Sequence, residues 1–116
     1  KNKIMGQNST EVAYGFGQLG SGFVDDNGTF RPPSGMVIVA IQMLADTKIA
    51  TLTPEVVNDA AYMGTVAQVA LNGAGSEPIS ATTVFPKGIT LFGRWSALTT
   101  VGGTADTDGV ICYFGR

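Results

Sequence analysis

The sequence predicts an all-β protein, an antiparallel β-sandwich, jelly-roll-like fold or small barrel, with at most one short helix near 54–62. Three observations predict it. Runs of β-branched and aromatic residues recur roughly every 8–15 positions, the spacing of short strands in sandwiches and barrels. Turn formers separate the runs, among 16 glycines and 5 prolines. Charged residues are only 14% of the chain, against about 25% in ordinary soluble domains, so the surface is dressed in Ser, Thr, Asn and Gly.

In chain order, residues 1–9 are polar and aperiodic and read as an arm ahead of a single β-domain, 10–116. From Glu11 to Leu19, Val12, Tyr14, Phe16 and Gln18 share one side. Glu11, Ala13, Gly15, Gly17 and Leu19 fall on the other, unusually bare side, as in a strand approached closely by another backbone. Asp25-Asp26-Asn27-Gly28 is a hairpin-turn signal, and Pro32-Pro33 reads as an edge or crossing loop because proline cannot donate to a ladder. Met36–Leu44, apolar on both faces apart from Gln42, is the expected central strand. Ala45–Lys48 is a turn and Ile49–Leu52 a strand. Thr53-Pro54-Glu55 has the order of a helix start: N-cap, proline at the first position, acid in the first turn. After a loop over 72–78, Ile79–Phe85 reads as a strand.

The rest of the domain is expected to assemble around the last third of the chain. Pro86 and Gly88 make a turn. Ile89, Leu91, Gly93 and Trp95 then alternate with Thr90, Phe92, Arg94 and Ser96, the period of two that marks a strand with one dry face. A loop over 102–109 leads to Val110–Phe114, whose lack of alternation predicts cover on both faces. The expected arrangement is a terminal hairpin of these two strands. Met36–Leu44 and Val110–Phe114 are candidates for burial between subunits, since a charge-poor surface does little to keep copies apart.

Composition also excludes. The net charge is −2 with no basic run, so there is no footprint for a phosphate backbone and nucleic acid is not an expected partner. The longest apolar run is far short of the ~20 residues that cross a bilayer as a helix, and no leader pattern opens the chain. The chain has no histidine, which removes the commonest general base and metal ligand. Its carboxylates (Glu11, Asp25, Asp26, Asp46, Glu55, Asp59, Glu77, Asp106, Asp108) fall mainly in turns, where Asp bonds its own backbone. Asp106-Thr107-Asp108-Gly109 opens like a calcium loop, but the position six past the glycine is Gly115, not the bidentate Glu such a loop needs. The GFGQLGSG stretch lacks the helix and acidic residue of a dinucleotide site. No enzyme activity, metal or cofactor is expected. The single Cys112 reads as a small buried hydrophobe. Arg94 and Trp95 admit two readings: an exposed pair that stacks a sugar or grips a carboxylate, or a core indole beside a strand-bridging cation.

Two stretches, Phe85-Pro86-Lys87-Gly88-Ile89-Thr90-Leu91-Phe92-Gly93-Arg94-Trp95 and Val110-Ile111-Cys112-Tyr113-Phe114-Gly115, resemble small structural proteins of tailed bacteriophages. Met36-Val37-Ile38-Val39-Ala40-Ile41, led in by Pro-Pro-x-Gly, is similar too. The likeness covers Pro32–Leu52 and Phe85–Arg116. It implies a virion component without catalytic residues: a head decoration (cement) protein on the capsid exterior, a homotrimer whose partner is the major capsid protein. The alternative is a carbohydrate- or receptor-binding β-module of a tail or fibre appendage. Interface candidates under this reading are Lys1, Asn2, Lys3, Ile4 and Met5 of the arm, with Arg94, Trp95, Tyr113 and Phe114.

Overall fold

The structure, a computed structural model, describes residues 18–57, 62–65, 77–101 and 109–116. They are all-β, as expected: six strands in one antiparallel sheet and no helix among the described residues. The strands are β1 (Ser21–Val24), β2 (Val37–Met43), β3 (Thr47–Pro54), β4 (Val84–Phe85), β5 (Thr90–Thr100) and β6 (Val110–Gly115), and they lie in the order β1-β6-β2-β5-β3-β4.

That order upholds the central strand and overturns the terminal hairpin. β2 pairs along one edge with β6 and along the other with β5, so β5 and β6 never touch as partners. In the same way β5 sits between β2 and β3. The two sequence-adjacent pairs interleave. A strand with apolar residues on both faces is the one best placed in the middle of a sheet, and β2 takes that place, displacing the local hairpin. The burial expected between subunits is therefore met within the chain. β2 is enclosed by its own sheet and core, and β6 alternates after all, with Val110, Cys112 and Phe114 buried and Ile111 and Tyr113 half-buried.

Three of the four register shifts in the sheet explain why strict alternation does not carry through the strands. Ile38 and Ile41 of β2, Ile49 and Leu52 of β3, and Trp95 and Leu98 of β5 all belong to the core cluster. Each pair is three positions apart, which an unbroken strand would send to opposite faces. The register shifts between Ile38 and Ala40, between Ile49 and Thr51, and where Pro54 faces Trp95 while Thr53 faces Ala97. Each shift inserts one residue and returns the next apolar side chain to the core. Across the middle of the sheet the effect accumulates. Two steps of β6 (Cys112 to Phe114) match three of β2 (Ile41 to Ile38) and four of β5 (Leu91 to Trp95). Unequal strand lengths across one span oblige the sheet to coil, as bulged strands do. β5 pairs with β2 through its first half and with β3 through its second.

The connections follow turn chemistry. The Asp25–Gly28 turn forms, held by Gly28 N–H donating to Asp26 Oδ1 at 3.0 Å. It does not return the chain onto β1: Phe30 exchanges backbone hydrogen bonds with Leu98 of β5 instead. After the two prolines, Met36 N–H donates to Pro33 O, with Gly35 at φ +82°, the third-position glycine of a type II turn. The turn between β2 and β3 spans 44–46, starting one residue and ending two residues earlier than expected. The expected helix start is corrected: Thr53 and Pro54 end β3 and Glu55–Val57 bend away, while 58–61 lie outside the described residues. The expected strand Ile79–Phe85 shrinks to Val84–Phe85, because Thr83 N–H turns back to Ser80 O. The strand read over Glu11–Leu19 lies largely outside the described residues; Gln18 and Leu19 form a turn.

Trp95 anchors the core. It is 1% exposed, and its indole N–H donates to Met63 O at 2.7 Å. The 62–65 segment that supplies this acceptor is itself clasped to β3, with Thr65 N–H donating to Leu52 O and Leu52 N–H to Thr65 Oγ1, each at 2.9 Å.

Candidate interaction surface

The pairing fixes which side chains share the face opposite the core. Ser21, Tyr113, Ala40 and Phe92 are register partners in one row across β1, β6, β2 and β5. Phe23, Ile111, Gln42 and Thr90 form the next row. Every residue in these rows is uncharged. Phe92 is 71% exposed and Phe23 59%, large values for rings whose burial is worth about 1.5–3 kcal/mol each. Gln18, Gly20, Ser21, Ala40, Thr90, Phe92 and Tyr113 line a shallow depression of about 470 Å³ on this face. The Tyr113 hydroxyl donates to Gln42 Oε1 at 3.1 Å and so holds its ring along the sheet. Two exposed phenylalanines beside a shallow depression lined by aromatic, hydroxyl and amide groups give this face the composition of a contact surface.

The expected interface residues separate. Tyr113 is on this face. Arg94 is next to it but turned to the strand ends: its Nε donates to Glu55 Oε1 at 2.6 Å and its Nη2 to Glu55 Oε2 and to the backbone oxygen of Arg116. The hydrogen bond it donates to Glu55 raises the guanidinium pKa above its ordinary value, against a smaller lowering by desolvation. Trp95 and Phe114 are corrected. Both lie in the core, Trp95 at 1% and Phe114 at 6% exposure, the latter stacked on Phe30 with centroids 5.9 Å apart. A buried indole offers no face to a sugar, so the core reading of Trp95 holds and the Arg94–Trp95 platform does not form. Lys1, Asn2, Lys3, Ile4 and Met5 lie outside the described residues. Phe92, the most exposed large hydrophobic among the described residues, is the residue that sequence reasoning passed over. Its signal was available: it alternates with Leu91 and Gly93, so an inward Trp95 sends it outward.

Among the described residues no three His, Cys, Asp or Glu side chains gather as metal ligands would. The carboxylates with partners serve the backbone or an ion pair: Asp26 at its own turn, Asp46 accepting from Lys87 N–H at 2.8 Å, and Glu55 on Arg94. Of the calcium-like run, Asp106–Asp108 lies outside the described residues. Cys112 is fully buried, and desolvation pushes its thiol up to about 12, far from a reactive thiolate.

The fold and this surface define an all-β domain with an uncharged, aromatic outward face. Comparison with protein-family models, with curated proteins and with solved structures gave no match.

Proposed function

We propose that this chain is a structural protein of a tailed-bacteriophage virion, a head decoration protein that binds the outside of the capsid shell as an oligomer, in the expected case a trimer. One observation supports the reading above others. The three stretches that carry the resemblance are the neighbouring strands β6, β2 and β5, and they contribute Tyr113, Ala40 and Phe92 to one row of the outward face. The stretches that look like virion proteins are thus those that build an uncharged contact surface. The mechanism is mechanical. Each copy adds a modest apolar contact, the residue 1–9 arm adds a second attachment, and many copies bridging neighbouring shell subunits act together through avidity.

The test is co-sedimentation of the purified chain with undecorated capsids, beside Phe92→Asp and a chain lacking residues 1–9. Both variants are expected to keep the wild-type circular dichroism and Trp95 emission and to lose at least about tenfold in apparent affinity, a loss of about 1.4 kcal/mol. Full binding by Phe92→Asp rules out this face as the docking surface. Failure of the wild-type chain to bind shells, with retention on a glycan surface, favours the carbohydrate-binding alternative.

A further inference from the structure

In an Asn-Gly pair the asparagine side chain and the next backbone nitrogen meet with little hindrance, because glycine brings no Cβ to the approach. Asn27-Gly28 is such a pair, with both residues exposed in the turn after β1, and Asn27 is the one asparagine among the described residues. We propose that Asn27 is a site of spontaneous deamidation, held in check in the folded chain by the carboxylate of Asp26. The step needs no enzyme, oxidant or metal. The Gly28 nitrogen gives up its proton and bonds to Asn27 Cγ. The Cγ–Nδ2 bond breaks and ammonia leaves, which closes a five-membered imide. Water then opens the ring. Breaking the new Cγ–N bond gives aspartate. Breaking the original backbone C–N bond gives isoaspartate, with the chain now running through the side chain. One water enters and one ammonia leaves.

The guard is a matter of geometry. The attacking nitrogen must be stripped of its proton, and that N–H donates to Asp26 Oδ1 at 3.0 Å. A bond to an anion is the stronger kind and holds the proton in place. The same negative charge opposes the amide anion that has to form beside it. Asp26 is itself fixed to the end of β5, where its backbone oxygen accepts from Thr100 Oγ1 at 2.9 Å. What the reaction would disturb follows from what the turn carries. Just beyond it, Thr29 Oγ1 meets Thr99 Oγ1 at 3.1 Å. Phe30 exchanges two backbone hydrogen bonds with Leu98 and stacks its ring on Phe114. Isoaspartate lengthens the main chain between β1 and this anchor by one C–C bond, about 1.5 Å. Either product sets a third carboxylate beside Asp25 and Asp26, at the end of the strand that carries the exposed Phe23. None of this depends on whether the outward face binds a shell.

The experiment incubates the purified full chain in warm, mildly alkaline buffer. It follows the peptide containing Asn27 by the mass change of an NH2-to-OH exchange and by labelling with an isoaspartate methyltransferase. The folded parent should convert at least about tenfold more slowly than the same chain in urea, the factor expected of one charge-assisted hydrogen bond. Asp26→Ala, folded by circular dichroism, should convert at least about fivefold faster than the folded parent. Thr29→Val, which unties the turn from Thr99 but keeps the guard, should stay close to the parent rate. In the isoaspartyl fraction, separated by charge, the Phe30 and Leu98 amides should exchange with solvent at least about tenfold faster than in the parent. A parent that converts as fast folded as unfolded overturns the guard, and so does an Asp26→Ala rate no higher than the parent's. A Thr29→Val rate equal to that of Asp26→Ala overturns it in favour of turn mobility. No conversion at Asn27 even in urea overturns the site itself, and unchanged amide exchange overturns the slip at Phe30.

Discussion

Replacing Gly93 by alanine sets two physical arguments against each other with opposite signs. By propensity, glycine inside a strand costs about 0.5–1 kcal/mol relative to alanine, so Gly93→Ala in β5 should stabilise. The tertiary structure says otherwise. A Cβ on Gly93 would stand 2.5 Å from Cζ2 and 2.7 Å from Cη2 of Trp95, about 1 Å inside ordinary carbon–carbon contact. The indole cannot step aside cheaply. It is 1% exposed, and a shift of that size would stretch its 2.7 Å bond to Met63 O beyond hydrogen-bonding distance. Overpacking a filled core costs about 1–3 kcal/mol, and stranding a buried acceptor about 1–3 kcal/mol more. Set against the propensity gain, the net is a destabilisation of about 1–5 kcal/mol, or roughly 4–20 °C in Tm for a domain this size. Urea denaturation followed by Trp95 fluorescence measures it, with a red-shifted native emission expected as the indole moves. A variant as stable as the parent, or more so, with unchanged emission would refute the placement of Trp95 against Gly93.

Other expectations are read more directly. Cys112 should resist alkylation in the native state at mildly alkaline pH and react at once in denaturant. Its folded pKa of about 12 lies above the ~8.5 of an unfolded thiol. The folded state therefore holds the proton longer, and this contribution is complete below about pH 8.5 and lost as pH rises towards 12. Stability should fall by up to about 1.4 kcal/mol per pH unit in that window, and the part of the slope due to the thiol should vanish in Cys112→Ala. Arg94→Ala removes the links to Glu55 and Arg116. Both side chains of the ion pair are about a third exposed, so the loss should be no more than about 1 kcal/mol and should shrink in high salt; a loss above 3 kcal/mol would mean the pair is far less screened than its exposure suggests. Thr65→Val should cost about 1–2 kcal/mol in thermal unfolding, because it removes the hydroxyl that accepts from Leu52 N–H; an unchanged Tm would show that the clasp on β3 contributes nothing.

Much of this was legible in the chain itself, for a physical reason: those features depend on neighbours a few positions away. Period two across Ile89–Trp95 placed Leu91 and Trp95 on the dry side and Phe92 on the other. Double-sided apolarity marked β2 as central, and the conformational limits of Asp, Gly and Pro located the turns at 26–28 and 33–36. Which strand pairs with which was decided only by tertiary structure. The β5/β6 hairpin was the obvious local choice, and it loses because β2 buries more by entering between them. The bulges were equally invisible. Nothing local distinguishes Val39 or Ser96 as an inserted residue, and only the need to bring Ile41 back beside Ile38, and Leu98 back beside Trp95, places them there. The outward row of Tyr113, Ala40 and Phe92 depends on that pairing and on those insertions, since residues more than 70 positions apart become neighbours only when the sheet closes its register.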